Sequence, residues 1–270
     1  MSRADVLAPD ARWFPDGAPG DVAGAGLTLI CFPFAGGTAS VYRGWQEHLG
    51  EDVRVVSVQL PGRGLRLRER PLSAMDPLVE ELVAALTRSG LPQRYALFGH
   101  SMGALLAYEV ACELRRRGEQ QPLHFFASGS RAPHLYGDRS DHTLPDEELR
   151  KVVTDLGGLG ADESIAAAYF RRRLPALRAD LRACETYVWS PRPPLECPMT
   201  AFSAMDDPLA TARQVEEWRA YTSCSFLSRH IPGDHFFLNA GSTRARLLRE
   251  LRVEIGQFPA PSSAGRALTP

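Results

Sequence analysis

The chain has 270 residues, 44% hydrophobic and 23% charged, with 31 basic and 32 acidic side chains for a formal net charge of −1. That length supports one large α/β domain or two small ones, with a substantial core, and the balanced charge excludes an overall field favouring nucleic acid or an anionic membrane. Cys31, Cys112, Cys184, Cys197 and Cys224 stand without CxxC pairing, which argues against a disulfide framework or a zinc site.

Residues 1–26, rich in Gly, Pro, Ala and Asp, read as an N-terminal arm with one anchor at Trp13-Phe14. They contain no apolar signal segment, and nothing later approaches a membrane span, so a soluble, cytoplasmic protein is expected. Strands are predicted at Leu27–Phe32, Val53–Val58, Tyr95–Phe98, Leu123–Ala127, Met199–Ser203 and Ser225–Ile231. Helices are predicted at Ser40–His48, Pro77–Ser89, Met102–Arg117, Thr211–Tyr221 and Thr243–Gln257. This alternation predicts crossover units and a mostly parallel central sheet flanked by helices, with the reacting groups at the strands' carboxyl ends. From Arg131 to Pro198 the alternation stops; helical patterns at Pro145–Leu156, Glu163–Leu174 and Leu177–Trp189 predict a helical lid, residues 131–198, inserted in a domain spanning 27–257. The Gly157-Gly158-Leu159-Gly160 segment is the expected hinge, and residues 258–270 read as a disordered C-terminal tail.

The sequence Gly99-His100-Ser101-Met102-Gly103 lies where a strand gives way to an alanine-rich helix. Ser101 there is either a helix N-cap or a nucleophile on a strained elbow, and the strand–turn–helix context favours the elbow. A serine nucleophile needs a base and an acid to orient it. Two histidines lie beyond the lid. His230 falls inside a strand, whereas His235 follows the turn Pro232-Gly233-Asp234 and is the better base. Asp207 is favoured as the acid, with Asp206 beside it and Asp138 and Asp141 after an earlier strand as rivals. Two backbone amides would face the oxyanion: Met102, which opens the helix, and Ala35 in the Gly-rich loop after the first strand, with Phe34 close behind.

With these residues placed, the chain resembles the type II thioesterases of polyketide and nonribosomal peptide biosynthesis, an α/β-hydrolase family. The segments carrying the resemblance are CFPFAGGTASVYRGW, VVSVQLPGRGLRLRE, LFGHSMGALLAYEVA, LPDEELRKVV, LPALRADLRACETY and IPGDHFFL. It implies an α/β-hydrolase fold with a helical lid and a Ser101–His235–Asp207 triad, and selects Asp207 over Asp206 because the family's acid directly precedes a proline. It further implies hydrolysis of stalled or aberrant acyl groups from the phosphopantetheine arm of acyl or peptidyl carrier proteins, with no cofactor. Two departures stand out: Asp234 precedes the base where many relatives have glycine, and FSAMDDP lacks the glycine often found before the acid. An esterase or acyltransferase on the same fold, or a non-catalytic carrier-binding protein, is the alternative reading.

Other features have plain readings. Arg115-Arg116-Arg117 suits a helix C-terminus, and Arg171-Arg172-Arg173 a solvated lid face. Arg63, Arg66, Arg68 and Arg70 read as surface charge in a loop, and Trp45, Trp189 and Trp218 as packing.

Overall fold

The computed structural model describes residues 9–21, 26–158, 163–239 and 241–258. Its centre is a six-stranded sheet made of β1 (Leu27–Phe32), β2 (Val53–Ser57), β3 (Tyr95–His100), β4 (His124–Ser128), β5 (Met199–Ala204) and β6 (Phe226–Ile231). The order is β2-β1-β3-β4-β5-β6, and every neighbouring pair is parallel. All the predicted strands are present; β3 continues past Phe98 because Gly99 and His100 stay paired with β1 and β4.

The strands read as unbroken apolar runs because both faces of the sheet are covered. In β1, Ile30 and Phe32 enter a layer shared with α2 (Met75–Arg88) and α3 (Met102–Arg116). Leu27, Leu29 and Cys31 enter the opposite layer, against α1 (Trp45–Leu49) and α7 (Gly241–Gly256). β3 repeats the alternation, with Tyr95 and Leu97 on the first side and Ala96 and Phe98 on the second. On α2 the buried Leu78, Leu82 and Leu86 recur at helical spacing, each burial contributing about 1.5–3 kcal/mol. Trp45 and Trp218 are fully buried, and the Trp218 indole N–H donates to the Ser130 carbonyl at 2.8 Å.

Local chemistry breaks two predicted helices. The first splits into a 3₁₀ turn, Ala39–Tyr42, and α1, because Gly44 between them has φ 78°. The segment 211–221 becomes α6 (Ala212–Glu216), opened by a Thr211/Gln214 capping box, and a 3₁₀ turn Glu217–Tyr221. Between β4 and β5 lie α4 (Asp146–Asp155) and α5 (Glu163–Glu185). The two helices predicted on either side of Pro175 are one. Pro175 is exposed, and the buried stripe of Phe170, Ala176, Leu177, Asp180 and Ala183 stays in helical phase across it, holding the helix together despite the lost backbone bond.

Trp13 and Phe14 are buried as expected. The Trp13 carbonyl accepts from Gln59 N, and Asp16 Oδ2 accepts from Ser57 N, which fixes this segment along the end of β2. Phe258, where the tail was expected to begin, stacks on His124 with ring centroids 5.3 Å apart. The rest of the expected arm and tail at 1–8, 22–25 and 259–270, and Leu159 and Gly160 of the expected hinge, lie outside the described residues. Among the described residues no helix is long and apolar enough to cross a membrane. All five cysteines are free, and only Cys224 is exposed.

Two imidazoles are enclosed by the sheet. Burial pushes His124 down to about 4, and burial, reinforced by the charge of His235, pushes His100 down to about 3. Both are neutral in the native state, while the unfolded chain takes up protons near pH ~6.5. Their stabilising contribution is therefore complete above pH ~6.5 and is lost as pH falls toward the depressed native values, at about 1.4 kcal/mol per pH unit for each group. Thermal unfolding measured from neutral pH down to about pH 5 should show this loss, and His124→Gln should remove its share of the slope.

Candidate active site

Ser101 sits at the junction of β3 and α3 with φ 55° and ψ −123°, and among the described residues it is the only non-glycine with positive φ. Such a conformation costs on the order of 1–3 kcal/mol and persists only where the surroundings impose it. Here the backbones on either side are too close for any side chain. A Cβ at Gly99 would lie 2.3 Å from the Gly103 carbonyl oxygen, and one at Gly103 would lie 2.1 Å from that of Phe32. Ser101 N donates to the Ser128 carbonyl at 2.8 Å, tying the turn to β4.

The partners arrive from the ends of β5 and β6. Ser101 Oγ lies 3.0 Å from His235 Nε2, and His235 Nδ1 lies 2.8 Å from Asp207 Oδ2. A carboxylate oxygen only accepts, so Nδ1 carries the proton and Nε2 is free to accept from the serine hydroxyl. The other oxygen, Asp207 Oδ1, accepts from the amides of Leu209 and Ala210 at 2.8 and 3.1 Å. Burial by itself pushes the Asp207 carboxyl up. The hydrogen bond to His235, its charge and the two amides outweigh burial and hold the group below the usual carboxylate range.

The rival residues have other partners or none of the triad's, although Asp141 lines the cavities at Ser101. Asp206 is exposed, Asp138 pairs with Arg131, and Asp141 pairs with Arg139. His230 is exposed on edge strand β6, where its Nδ1 meets Ser203 Oγ at 2.7 Å. Asp234, the unusual neighbour of the base, turns away to accept from Phe236 N at 2.8 Å. Its carboxylate abuts Gly157, where a Cβ would lie 2.2 Å from Oδ2.

Met102 and Ala35 line one cavity with the serine. Met102 is the first residue of α3, and Ala35 lies in the loop leaving β1. β1 and β3 are the strands between which the chain reverses its direction across the sheet, the crevice where such sheets bind ligands. Two cavities meet at Ser101 and share Ala35, Asp141, Leu181, Leu209 and His235. One, of about 120 Å³, is walled mainly by apolar side chains of α4 and α5, among them Leu149, Val153, Leu156, Phe170 and Leu177. The other, of about 70 Å³, has Arg131, Tyr136, Arg139 and Glu185 on its wall beside Met102, Cys184 and Ala210. Of the lid's apolar residues, Leu156 and Phe170 line the first cavity, Leu174 packs beside it, and the Tyr169 side chain lies outside the described residues.

Three features escaped sequence reasoning. His100 is fully buried; its Nε2 donates to the His235 carbonyl at 2.9 Å, and its Nδ1 therefore accepts from Ser128 Oγ, also at 2.9 Å. It holds the backbone of the histidine that contacts Ser101, and its place inside the serine motif was the available signal. Arg63 and Arg66, read as surface charge, are buried at 2% and 5% exposure. Arg66 lies 3.9 Å over the Trp13 ring and pairs with Glu69, and Arg63 forms a bidentate pair with buried Asp180 of α5. Nothing in the sequence around Asp180 signals that partner.

Comparison with known proteins places this geometry. The thioesterase domain family matches residues 27–254. Thioesterase PikA5 of Streptomyces venezuelae is 39% identical over 213 residues, covering 79% of this chain and 76% of its own length. The gramicidin S biosynthesis protein GrsT of Aneurinibacillus migulanus is 37% identical over 228 residues, 84% of this chain and 88% of GrsT. Among solved structures, RedJ, a thioesterase from the prodiginine biosynthetic pathway of Streptomyces coelicolor, is 66% identical with a TM-score of 0.84, covering 87% of this chain and 88% of RedJ. With the sheet and the loops at its carboxyl edge inside the matched region, the chain belongs to the thioesterase family of α/β-hydrolase fold, enzymes that hydrolyse thioester bonds.

Proposed function

We propose that this enzyme hydrolyses acyl groups from the phosphopantetheine arm of acyl or peptidyl carrier proteins in a polyketide or nonribosomal peptide pathway, alongside its synthase in the cytoplasm. The observation that carries the reading is the strained Ser101 with its Oγ 3.0 Å from His235 Nε2, in line with an ionised Asp207. Ser101 Oγ attacks the thioester carbonyl carbon as His235 takes its proton, and the amides of Ala35 and Met102 face the oxyanion. Collapse of the intermediate expels the pantetheine thiol, whose pKa of about 8.5 makes it a good leaving group. Water activated by His235 then cleaves the acyl-serine, releasing the carboxylic acid and restoring the hydroxyl. Every step uses this chain's own groups and water, so the reaction needs no cofactor.

A thioester has two limbs, and two cavities meet at Ser101. The one walled by Leu149, Val153 and Phe170 suits the acyl chain, and the one edged by Arg131, Tyr136 and Glu185 suits the amide-bearing arm. The names of similar proteins support the pathway class, RedJ at 66% identity most strongly.

Ser101→Ala should lower thioester hydrolysis by on the order of a thousandfold or more in a folded protein. Asp207→Asn should impair turnover far more than Asp206→Asn, because an amide favours the wrong imidazole tautomer. His230→Ala should leave kcat near wild type while His235→Ala abolishes it. Steady-state kinetics on one acyl-pantetheine thioester measures all of these, and the reverse order of the two aspartates would move the acid to Asp206.

Val153→Phe, which narrows the apolar cavity from α4, should shift the optimum of kcat/KM to shorter chains, by about 10-fold or more at the long end. A series of acyl-pantetheines from acetyl to dodecanoyl measures it; an unchanged profile removes this cavity from the acyl path. Exposed Arg171 and Arg172 on α5 are proposed to meet the acidic surface of a carrier protein. Arg171→Glu/Arg172→Glu should raise KM for an acyl-carrier protein and leave KM for the free acyl-pantetheine unchanged. Equal effects on both substrates would reject this docking.

A further inference from the structure

The loop that carries Ala35 is held from outside the sheet. Gly37 N donates to the Phe34 carbonyl at 2.8 Å and Gly36 has φ 73°, the form of a type II turn across Phe34-Ala35-Gly36-Gly37. In such a turn the central peptide, Ala35 to Gly36, is the unit free to flip. Its N–H is captured: Gly36 N donates to Asp180 Oδ2 at 2.7 Å. Asp180 lies on α5, is fully buried, and is gripped by Arg63, whose Nη1 donates to Oδ2 and whose Nη2 donates to Oδ1 at 2.8 Å. Arg63 is itself seated by Nε donating to the Pro61 carbonyl at 3.1 Å, and its own carbonyl accepts from Gln59 Nε2 at 3.3 Å. Gln59 Oε1 in turn accepts from Ala39 N at 3.2 Å, at the far end of the same loop. The fit of α5 to the loop is close, since a Cβ at Gly36 would lie 3.3 Å from Leu177 Cβ.

We propose that Asp180 and Arg63 are positioning residues for the oxyanion donor. The buried pair anchors the turn through the Gly36 N–H, in the peptide that follows the donor, and so holds the Phe34–Ala35 peptide, whose N–H is the donor, in its place beside Ser101; the donor is complete only while α5 is docked. This inference rests on the reading of Ala35 as an oxyanion donor. A buried pair of this kind is weak evidence of stabilisation, because well-packed apolar residues replace such pairs at little cost. What apolar residues cannot replace is the acceptor for Gly36 N–H. The pair's contribution is therefore expected in turnover rather than in folding.

The test compares Arg63→Met/Asp180→Leu, Arg63→Met/Asp180→Asn and Ser101→Ala with wild type on one acyl-pantetheine thioester, with Tm measured for each. The Met/Leu variant should fold, with kcat lowered on the order of 100-fold and KM within about threefold of wild type. The Met/Asn variant, which restores an amide oxygen for Gly36 without a buried charge, should recover about tenfold or more of that loss. A folded Met/Leu variant with kcat within about threefold of wild type overturns the proposal, as does equal kcat in the two double variants. Should Met/Leu fail to fold, Asp180→Asn alone takes its place. Its amide NH2 then faces an Arg63 N–H, so the two donors repel, the brace shifts and kcat falls; adding Arg63→Met removes the repulsion and restores turnover, and absence of rescue overturns the proposal. An inactive Ser101→Ala beside a fully active Met/Leu variant removes the brace alone. An active Ser101→Ala removes the catalytic reading and the brace with it.

Discussion

Everything at the site depends on how closely the start of α3 packs against the ends of β1 and β3. Backbone there meets backbone, with Gly99 against Gly103 and Gly103 against the Phe32 carbonyl. That contact forces the chain to turn within a single residue, and Ser101 takes the strained conformation. The same contact sets the first amides of α3 beside the loop that leaves β1. Ser101 and the start of α3 are thus placed by one packing constraint, which a large hydrophobic core on both sides of the sheet sustains. Strain of this size is small beside the burial that surrounds it, and so it can persist in a folded protein.

Around this constraint, charge is arranged in two buried tiers. His235 and Asp207 form the inner tier, where ionisation is maintained by hydrogen bonds to the carboxylate. His100 beside them is kept neutral, which leaves it able to donate to a backbone carbonyl without adding a second positive charge near His235. Arg63 and Asp180 form the outer tier, joining the loop after β2 to α5. The inner tier contacts the Ser101 hydroxyl and the outer tier the Gly36 amide, and no hydrogen bond between the two is found among the described residues.

Much of this was legible in the sequence, for reasons that differ by element. The strands were clear because a sheet covered on both faces makes each strand a continuous apolar run. Ser101, His235 and Asp207 were clear because the turn chemistry around them is local: small residues beside the serine, and loops directly after β5 and β6. Asp180 was not. It lies 117 residues from Arg63 along the chain, in a helix whose neighbours are arginines, and only the folded packing of α5 onto the β1 loop reveals its burial. The continuity of α5 through Pro175 was hidden for a related reason: local propensity argues for a break, and the buried stripe that overrides it belongs to tertiary structure.

The two walls of the apolar cavity are not equally free to change. α5 supplies Phe170 and Leu177 to the cavity and also carries Asp180, so a substitution that displaces this helix disturbs the bond to Gly36 as well. α4 supplies Leu149, Val152 and Val153 and makes no such connection among the described residues. Natural drift toward new acyl groups, or a redesign with the same aim, therefore has an open route through α4 and a closed one through α5. Within this fold, substrate range should diversify on one side of the cavity while the other stays nearly invariant.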